Sequence, residues 1–133
     1  MRILIALTAL LSFSLTQAAS LDDILSASHR SSEEKARDDY RHPAQTLDFF
    51  GVKKDMTVVE IWPGAKGWYT AVLAPYLRED GTFYAAQFPP DSDISYYTRS
   101  LTLFKAHLTK HPALYDQVRI THVYPPVYSD VAP

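Results

Sequence analysis

The sequence predicts an α/β domain in which helices flank a parallel β-sheet. Three apolar segments have the composition of strands: Thr57–Ile61, Thr82–Gln87 and the alternating run Val118–Tyr124. A segment with helical periodicity follows each of the first two strands. The order strand–helix–strand–helix–strand favours parallel strands that are joined by right-handed crossovers.

Short helices are predicted before the first strand. Ser20–Ser28 carries apolar residues on one face, which is typical of an amphipathic helix. Ser31 and Glu34 have the spacing of a capping box, and a polar helix is expected from there to about Tyr40.

A further helix is predicted just before the first strand. Pro43 suits its first turn, and Gly51 suits the left-handed residue that follows its end. Leu47 and Phe50 are expected to pack inward from this helix.

Two helices are predicted between the strands. The first runs from about Trp68 to Leu77 and has an apolar stripe. In the second, apolar residues recur at three- and four-residue steps from Ile94 to Leu108. Asp93 is its expected N-cap, and His111-Pro112 is expected to terminate it.

The composition limits the function classes. The chain has 133 residues, a formal net charge of −2, no cysteine and 47% hydrophobic residues. Such a chain forms one domain with a core. It has no disulfides, thiolate metal sites or cysteine nucleophile, and its near-neutral charge gives no electrostatic case for binding nucleic acid, which would need a clustered basic face.

The N-terminus has the three parts of a secretory signal peptide. Met1-Arg2 is basic, Ile3–Leu15 is almost continuously apolar, and Thr16–Ala19 ends in small residues. We predict a signal peptide over residues 1–19, cleaved after Ala18 or Ala19, with export to the periplasm and no stable membrane anchor afterwards. The alternative is an uncleaved anchor helix, for which the apolar run is short. Residues 20–52 would then form the N-terminal helices and residues 53–133 the sheet domain.

The segment Val58–Thr70, with the sequence VVEIWPGAKGWYT, contains a strand, a sharp turn at Trp62-Pro63-Gly64 and the start of a helix. In an α/β sheet such a turn lies at the carboxyl end of a strand, where ligands bind. Gly64 and Gly67 allow the backbone to approach a ligand closely. The free N–H groups at the start of the helix point into the same crevice.

This segment resembles motif I of class I S-adenosylmethionine-dependent methyltransferases, in which an acidic residue ends the first strand and opens a Gly-rich loop. The resemblance covers the chain from about Arg37 to the end and implies a Rossmann-like fold. More narrowly, the chain resembles a family of exported, predicted methyltransferases. The matching segments are Asp39–Pro43, Phe49–Val52, Glu60–Gly64 and Leu73–Leu77.

The resemblance implies a site for S-adenosyl-L-methionine across the carboxyl ends of the first two strands. Glu60 would face the cationic amino-acid end of the cofactor, and Gln87 would bind a ribose hydroxyl. The implied cofactor-binding residues are Glu60, Trp62, Pro63, Gly64, Ala65, Gly67 and Gln87.

The chain departs from the family pattern at three places. Trp62 stands where the first glycine is usual, and the loop is about one residue longer, with Lys66 near a glycine position. Gln87 stands where a carboxylate usually binds both ribose hydroxyls, and Asp91 could take that part. Alternatively, Glu60 caps the loop or pairs with Lys66, and Gln87 is a solvated strand end.

Other chemically active side chains have plainer interpretations. Trp68 and Tyr69 could offer aromatic faces to a sulfonium, but such residues are more often core, and these two start a buried helix. His42 is either a general base or a helix-cap residue. His107 and His111 are four residues apart, but they are expected on a solvated face without a metal; His122 is expected to be an ordinary sheet residue.

The function implied by the resemblance is methyl transfer to an unknown acceptor, achieved mainly by positioning the reactants. No catalytic residue stands out. Only three of the seven strands of the resembled sheet are supplied, so we interpret the chain as the front half of a methyltransferase-like domain, truncated after the third strand. The alternative is a non-catalytic Rossmann remnant that acts as a binding or interaction module. In either case the first strand would be an open edge that invites self-association.

Overall fold

A computed structural model describes residues 19–129, 131 and 132. The predicted signal peptide falls almost wholly on residues 1–18, which lie outside the described residues. Within the described part, no helix is both long enough and apolar enough to cross a membrane.

The described part contains a three-stranded parallel sheet with flanking helices, which confirms the predicted fold class. The strands are β1 (Thr57–Ile61), β2 (Thr82–Gln87) and β3 (Arg119–His122). They lie in the order β1-β2-β3, with Glu60 opposite Ala85 and Gln87 opposite His122. Consequently β1 is an edge strand of the described sheet, and the carboxyl ends of all three strands lie along one side.

Four short helices precede the sheet: α1 (Leu21–Ser26), α2 (Ser32–Ala36), α3 (Asp38–Arg41) and α4 (Pro43–Phe49). Capping boxes begin both α1 and α2. The single polar helix that was expected after Ser31 is divided at Arg37, which caps the end of α2 and precedes α3.

The end of α4 confirms one expectation and corrects another. Gly51 is left-handed with φ of +65°, and the N–H of Val52 donates to the Leu47 carbonyl at 2.9 Å. These are the features of a Schellman motif, in which the residue after the glycine packs back on the helix. Val52 therefore packs against the core, whereas Phe50, which was expected to point inward, is 71% exposed.

The remaining helices are α5 (Thr70–Leu77), α6 (Ser95–Leu108) and α7 (Pro112–Tyr115). Asp93 does not cap α6; instead the Ser92 hydroxyl accepts the N–H of Ile94 at 3.1 Å. The expectation that Pro112 terminates α6 was also wrong. The helix ends at Leu108, and Pro112 begins α7, where its fixed φ suits the first turn.

The core lies between the sheet and α5. This helix is buried on nearly all sides rather than along one stripe, because α1 and α7 contact it as well as β2. Its side chains meet Phe83 and Ala85 of β2 and Phe104 of α6. Each large apolar side chain buried in this way contributes roughly 1.5–3 kcal/mol.

Gly67 links the loop after β1 to this core. A Cβ at this position would lie 2.8 Å from the ring of Phe104 and 2.8 Å from the Thr70 hydroxyl, and its φ is +57°. The loop can therefore pack against α6 only with glycine at this position.

Candidate cofactor site at the carboxyl end of the sheet

The loop between β1 and α5 begins with a strained residue. Trp62 has a φ of +50°, although its N–H still continues the sheet by donating to the Ala86 carbonyl at 2.8 Å. A large side chain is rarely found in this conformation, which costs roughly 1–2 kcal/mol. Because Trp62 stands where the resembled motif has glycine, the chain keeps a glycine-like backbone with a tryptophan side chain. Strain of this kind is concentrated at functional sites.

Two contacts hold the indole of Trp62. Its Nε1 donates to the Val123 carbonyl at 3.0 Å, and its ring stacks on Phe88 with 5.5 Å between centroids. Phe88 in turn stacks on Tyr97 at 4.2 Å. The indole remains 47% exposed despite these two contacts.

Gly64 supplies the open part of the loop. Its φ is +70°, and a Cβ built there would meet nothing within 4 Å. The glycine is therefore favoured by the backbone conformation, and the space beside it is free among the described residues. Pro63 precedes it and Ala65 follows it, so the predicted loop residues are brought together at the end of β1.

Glu60 faces the start of α5. Its Oε2 accepts a 2.6 Å hydrogen bond from the Thr70 hydroxyl. Burial raises the pKa of Glu60 from its ordinary value of 4.5 to about 7, although hydrogen bonds from Thr70 and the backbone of Tyr69 and the charge of Arg41 act in the opposite direction. Desolvation therefore exceeds the favourable contacts, and near pH 7 the group is poised between its neutral and charged forms.

Of the two alternatives for Glu60, the structure contains the loop cap and not the pair with Lys66. The Lys66 ammonium lies 3.5 Å from Glu33 instead, and both side chains are highly exposed. Glu60 thus joins the end of β1 to Thr70, the first residue of α5. This is the N-terminal end of the helix, where the helix dipole stabilises a carboxylate.

Gln87 is not a solvated strand end, because its side chain is completely buried. Its Nε2 donates to the Gly64 carbonyl at 2.9 Å, which ties the end of β2 to the loop after β1. Its Oε1 has no hydrogen-bond partner among the described residues. A buried acceptor left unpaired costs roughly 1–3 kcal/mol, so a hydroxyl or water donor would be stabilising there.

Asp91 does not approach the loop. Both of its carboxylate oxygens accept the Tyr128 hydroxyl, at 2.7 and 2.8 Å. This contact joins the turn after β2 to the segment after β3. Asp91, which was considered as an alternative ribose ligand, therefore has Tyr128 as its hydrogen-bond partner in the structure.

Trp68 is a core residue. It is buried, and its Nε1 donates to the Glu34 carbonyl at 2.9 Å. The guanidinium groups of Arg30, Arg37 and Arg41 lie 4.9–5.8 Å from the centre of its ring. These cations, rather than a ligand, meet the indole.

The histidines do not form a metal site. In the described part of the chain, no group of three or more His, Cys, Asp or Glu residues is arranged to hold a metal ion. His42 is a left-handed cap residue between α3 and α4, without a side-chain cap bond. The Nδ1 of His122 lies 2.9 Å from the Phe88 carbonyl oxygen, so it is a satisfied sheet residue, as expected.

Sequence reasoning missed the aromatic stack of Trp62, Phe88 and Tyr97 and the position of Arg41. The signal for the stack was an aromatic residue directly after a strand. The spacing of residues in the sequence does not reveal the role of Arg41. Only the fold brings its guanidinium group over the Trp68 ring and close enough to Glu60 for its charge to lower the pKa of that carboxyl group.

Comparison with known proteins adds no relative: no family model, no curated protein and no solved structure matches the chain. The candidate site thus depends on the resemblance of its motif and on its geometry.

Proposed function

We propose that the chain is an S-adenosylmethionine-dependent methyltransferase-like protein that binds its cofactor at the carboxyl ends of β1 and β2. The observation that carries this proposal is the loop itself. It turns through left-handed Trp62 and Gly64, and it is tied to both strands by the Gln87–Gly64 and Glu60–Thr70 contacts. A parallel sheet that ends in such a loop has its ligand crevice at this edge.

Each contact has a proposed counterpart in the cofactor. The carboxyl group of Glu60 suits the cationic amino-acid end, and the open side of Gly64 admits close approach. The unpaired Oε1 of Gln87 suits one ribose hydroxyl. The exposed part of Trp62 offers an aromatic face to a sulfonium.

Methyl transfer requires mainly that the protein hold the methyl donor and the acceptor in the correct orientation. When bound, the cofactor supplies an electrophilic methyl group. The loop would orient it, and the aromatic side chains of Trp62 and Phe88 would limit access of water to one side. The methyl acceptor is unknown, and no residue is assigned to its activation.

Isothermal titration of the signal-free chain with S-adenosylmethionine tests the proposal. We expect micromolar binding that Glu60→Ala abolishes and Glu60→Gln weakens. Glu33→Gln is the matched control, because it removes a carboxylate beside the same loop from an exposed position. No heat and no thermal shift from a chain shown to be folded would refute the proposed cofactor site.

Binding and catalysis are separated by a second assay. Methyl transfer from labelled cofactor to a periplasmic extract would support an enzyme. Binding without transfer to any component would leave a binding module.

One observation favours that second candidate, a non-catalytic binding or interaction module. Three polar side chains expected at or near the cofactor have protein partners: Glu60 bonds Thr70, Gln87 bonds Gly64, and Asp91 bonds Tyr128. A site in which all three of these side chains already contact the protein, even with the Oε1 of Gln87 left unpaired, suits a structural role as well as a catalytic one.

Export and self-association complete the proposal. N-terminal sequencing of the protein recovered from the periplasm should give a chain that begins at Ala19 or Ser20.

The edge strand β1 would pair with a second copy, since its outer backbone groups have no strand beside them in the described sheet. Light scattering should then give a mass that rises with concentration, whereas a folded, strictly monomeric species would contradict self-association.

A further inference from the structure

A cavity of about 290 Å³ lies between the loop after β1 and the part of α6 from Tyr96 to Leu103. Ala65 forms the loop side. The other lining residues recur three or four positions apart on one face of α6. They are Tyr96, Arg99, Ser100 and Leu103. The volume is at the lower end of the range of small-molecule sites, which is roughly 300–1,000 Å³.

Ser100 provides a buried polar group in this cavity. It is only 3% exposed, and its hydroxyl has no hydrogen-bond partner among the described residues. Buried polar groups are nearly always paired. A helical hydroxyl usually donates to a carbonyl one turn earlier, as Thr102 does to Thr98 at 2.9 Å. The Ser100 hydroxyl makes no such hydrogen bond within the described part of the chain, so a polar atom of a ligand or of a water molecule would satisfy it.

Arg99 provides a cation beside this hydroxyl. It is exposed, and its side chain makes no hydrogen bond, ion pair or ring contact with any part of the chain that the structure describes. Arg30, Arg78 and Arg119 all have side-chain partners. A guanidinium group presents paired donors that match a carboxylate.

Tyr96 and Leu103 provide the apolar part of the cavity lining. Both are more than 40% exposed, and the Tyr96 ring lies edge-on to Phe88 at 5.8 Å. An aromatic ring and an aliphatic side chain on either side of a cation and a hydroxyl suit a ligand with one charged end and an apolar body.

We propose that this cavity binds a small carboxylate with an aromatic or aliphatic body. Arg99 binds the carboxylate, the Ser100 hydroxyl donates a hydrogen bond to it, and Tyr96 and Leu103 cover the body. Only Ala65 is shared with the proposed cofactor loop. The carboxylate site therefore stands whether or not the chain binds S-adenosylmethionine.

The test is titration of the folded, signal-free chain with benzoate and hexanoate, followed by protein NMR. At least one of them should bind in the millimolar range and shift the resonances of Ala65 and Ser100. Benzamide, which has the shape of benzoate without its charge, should bind about tenfold more weakly, a difference of about 1.4 kcal/mol. Absence of binding by both acids, or equal binding of benzoate and benzamide, would overturn the proposal.

Variants on α6 assign the contacts. Arg99→Gln should weaken carboxylate binding about tenfold, whereas Lys105→Gln, which removes an exposed cation from the same helix outside the cavity, should leave binding unchanged. Unchanged binding in Arg99→Gln would contradict the assignment.

Ser100→Ala should weaken binding without lowering the melting temperature, because the hydroxyl has no partner to lose. A lower melting temperature with unchanged carboxylate binding would show that Ser100 is structural.

The two proposed sites can fail separately. Glu60→Gln should weaken S-adenosylmethionine and leave benzoate or hexanoate binding intact, and Arg99→Gln should do the reverse. Loss of both ligands in both variants, with the fold intact, would mean that the cavity is not a separate site.

Discussion

The Thr70 hydroxyl donates a 2.6 Å hydrogen bond to the carboxyl group of Glu60, and this contact joins the end of β1 to the first residue of α5. Because Glu60 is largely desolvated there, burial raises its pKa to about 7. Glu60, which is partly buried, thus makes both the stability of the loop and its proposed affinity for a cation depend on pH.

The contribution of Glu60 to the stability of the fold should fall as the pH rises from about 4.5 to 7. The folded-state pKa of Glu60 is raised, so the folded chain binds more protons than the unfolded chain in this window. The contribution is fully present below the unfolded pKa and is lost as pH rises through the folded one. We expect Glu60→Gln to remove about 1–3 kcal/mol of this pH dependence.

Urea denaturation of both chains at pH 5 and pH 8 measures the effect. The difference between the chains isolates Glu60 from the other titrating groups. Parallel pH dependence in the two chains would show that Glu60 has an ordinary pKa.

Affinity for S-adenosylmethionine should rise with pH. If the charged form of Glu60 binds the cationic end of the cofactor, a pKa near 7 makes binding about eightfold tighter at pH 7.5 than at pH 6. The net gain will be smaller than this, because an α-amino group with a pKa of roughly 7.7–8.0 has begun to lose its proton by pH 7.5. Titration calorimetry at the two pH values checks the effect, and Glu60→Gln should bind weakly and equally at both; a flat profile in the native chain would remove Glu60 from the site.

Gly67→Ala should destabilise the chain more than Gly64→Ala. Both residues are left-handed, which costs roughly 1–2 kcal/mol with a side chain. Only at Gly67 would the new Cβ also contact the Phe104 ring at 2.8 Å, adding roughly 1–3 kcal/mol. Thermal denaturation of the two variants provides the comparison, and equal melting temperatures would mean that the loop moves away from α6 without cost.

Gln87→Glu should destabilise the chain, although it restores the acid of the resembled family. The Gly64 carbonyl would face a buried carboxylate instead of a donor, at a cost of roughly 3–5 kcal/mol near neutral pH. The loss should shrink at low pH, where the protonated acid can donate.

Gln87→Met is the control for the Gly64 contact. It introduces no charge and leaves only the Gly64 carbonyl unpaired, which costs roughly 1–3 kcal/mol independently of pH. Urea denaturation at pH 5 and pH 8 separates the variants. Gln87→Glu as stable as the native chain at pH 8, with tighter cofactor binding, would show that residue 87 reaches a ligand rather than the loop.

Asp38→Ala should be far more damaging than Glu33→Ala. Asp38 bonds both terminal nitrogens of Arg30, whose side chain is fully buried, so its removal leaves a buried cation and costs roughly 3–5 kcal/mol. Glu33 pairs with Lys66 at the surface, where such a pair is worth roughly 0–1 kcal/mol. Denaturant midpoints of the two variants check the contrast; similar small losses would mean that Arg30 finds other partners.

Much of the fold was predictable because its signals are local. The strand β2 has the predicted bounds, and the capping box of Ser31 and Glu34 forms as expected. Gly51 adopts the predicted left-handed conformation. Phe50 was misjudged because helical spacing alone does not show that the chain has already left the helix at that residue.

The sequence by itself determined the three strands and most of the helices, although not the division between α2 and α3 or the short helix α7, and it determined that a Gly-containing turn follows the first strand. Backbone conformation and hydrogen bonds within about four residues decide these features. Only the tertiary structure decided that Gln87 bonds Gly64, that Asp91 bonds Tyr128 and that Trp68 bonds Glu34. These partners are 23, 37 and 34 residues apart in the chain. Contacts at such separations form only when packing brings whole elements together, so no local pattern records them.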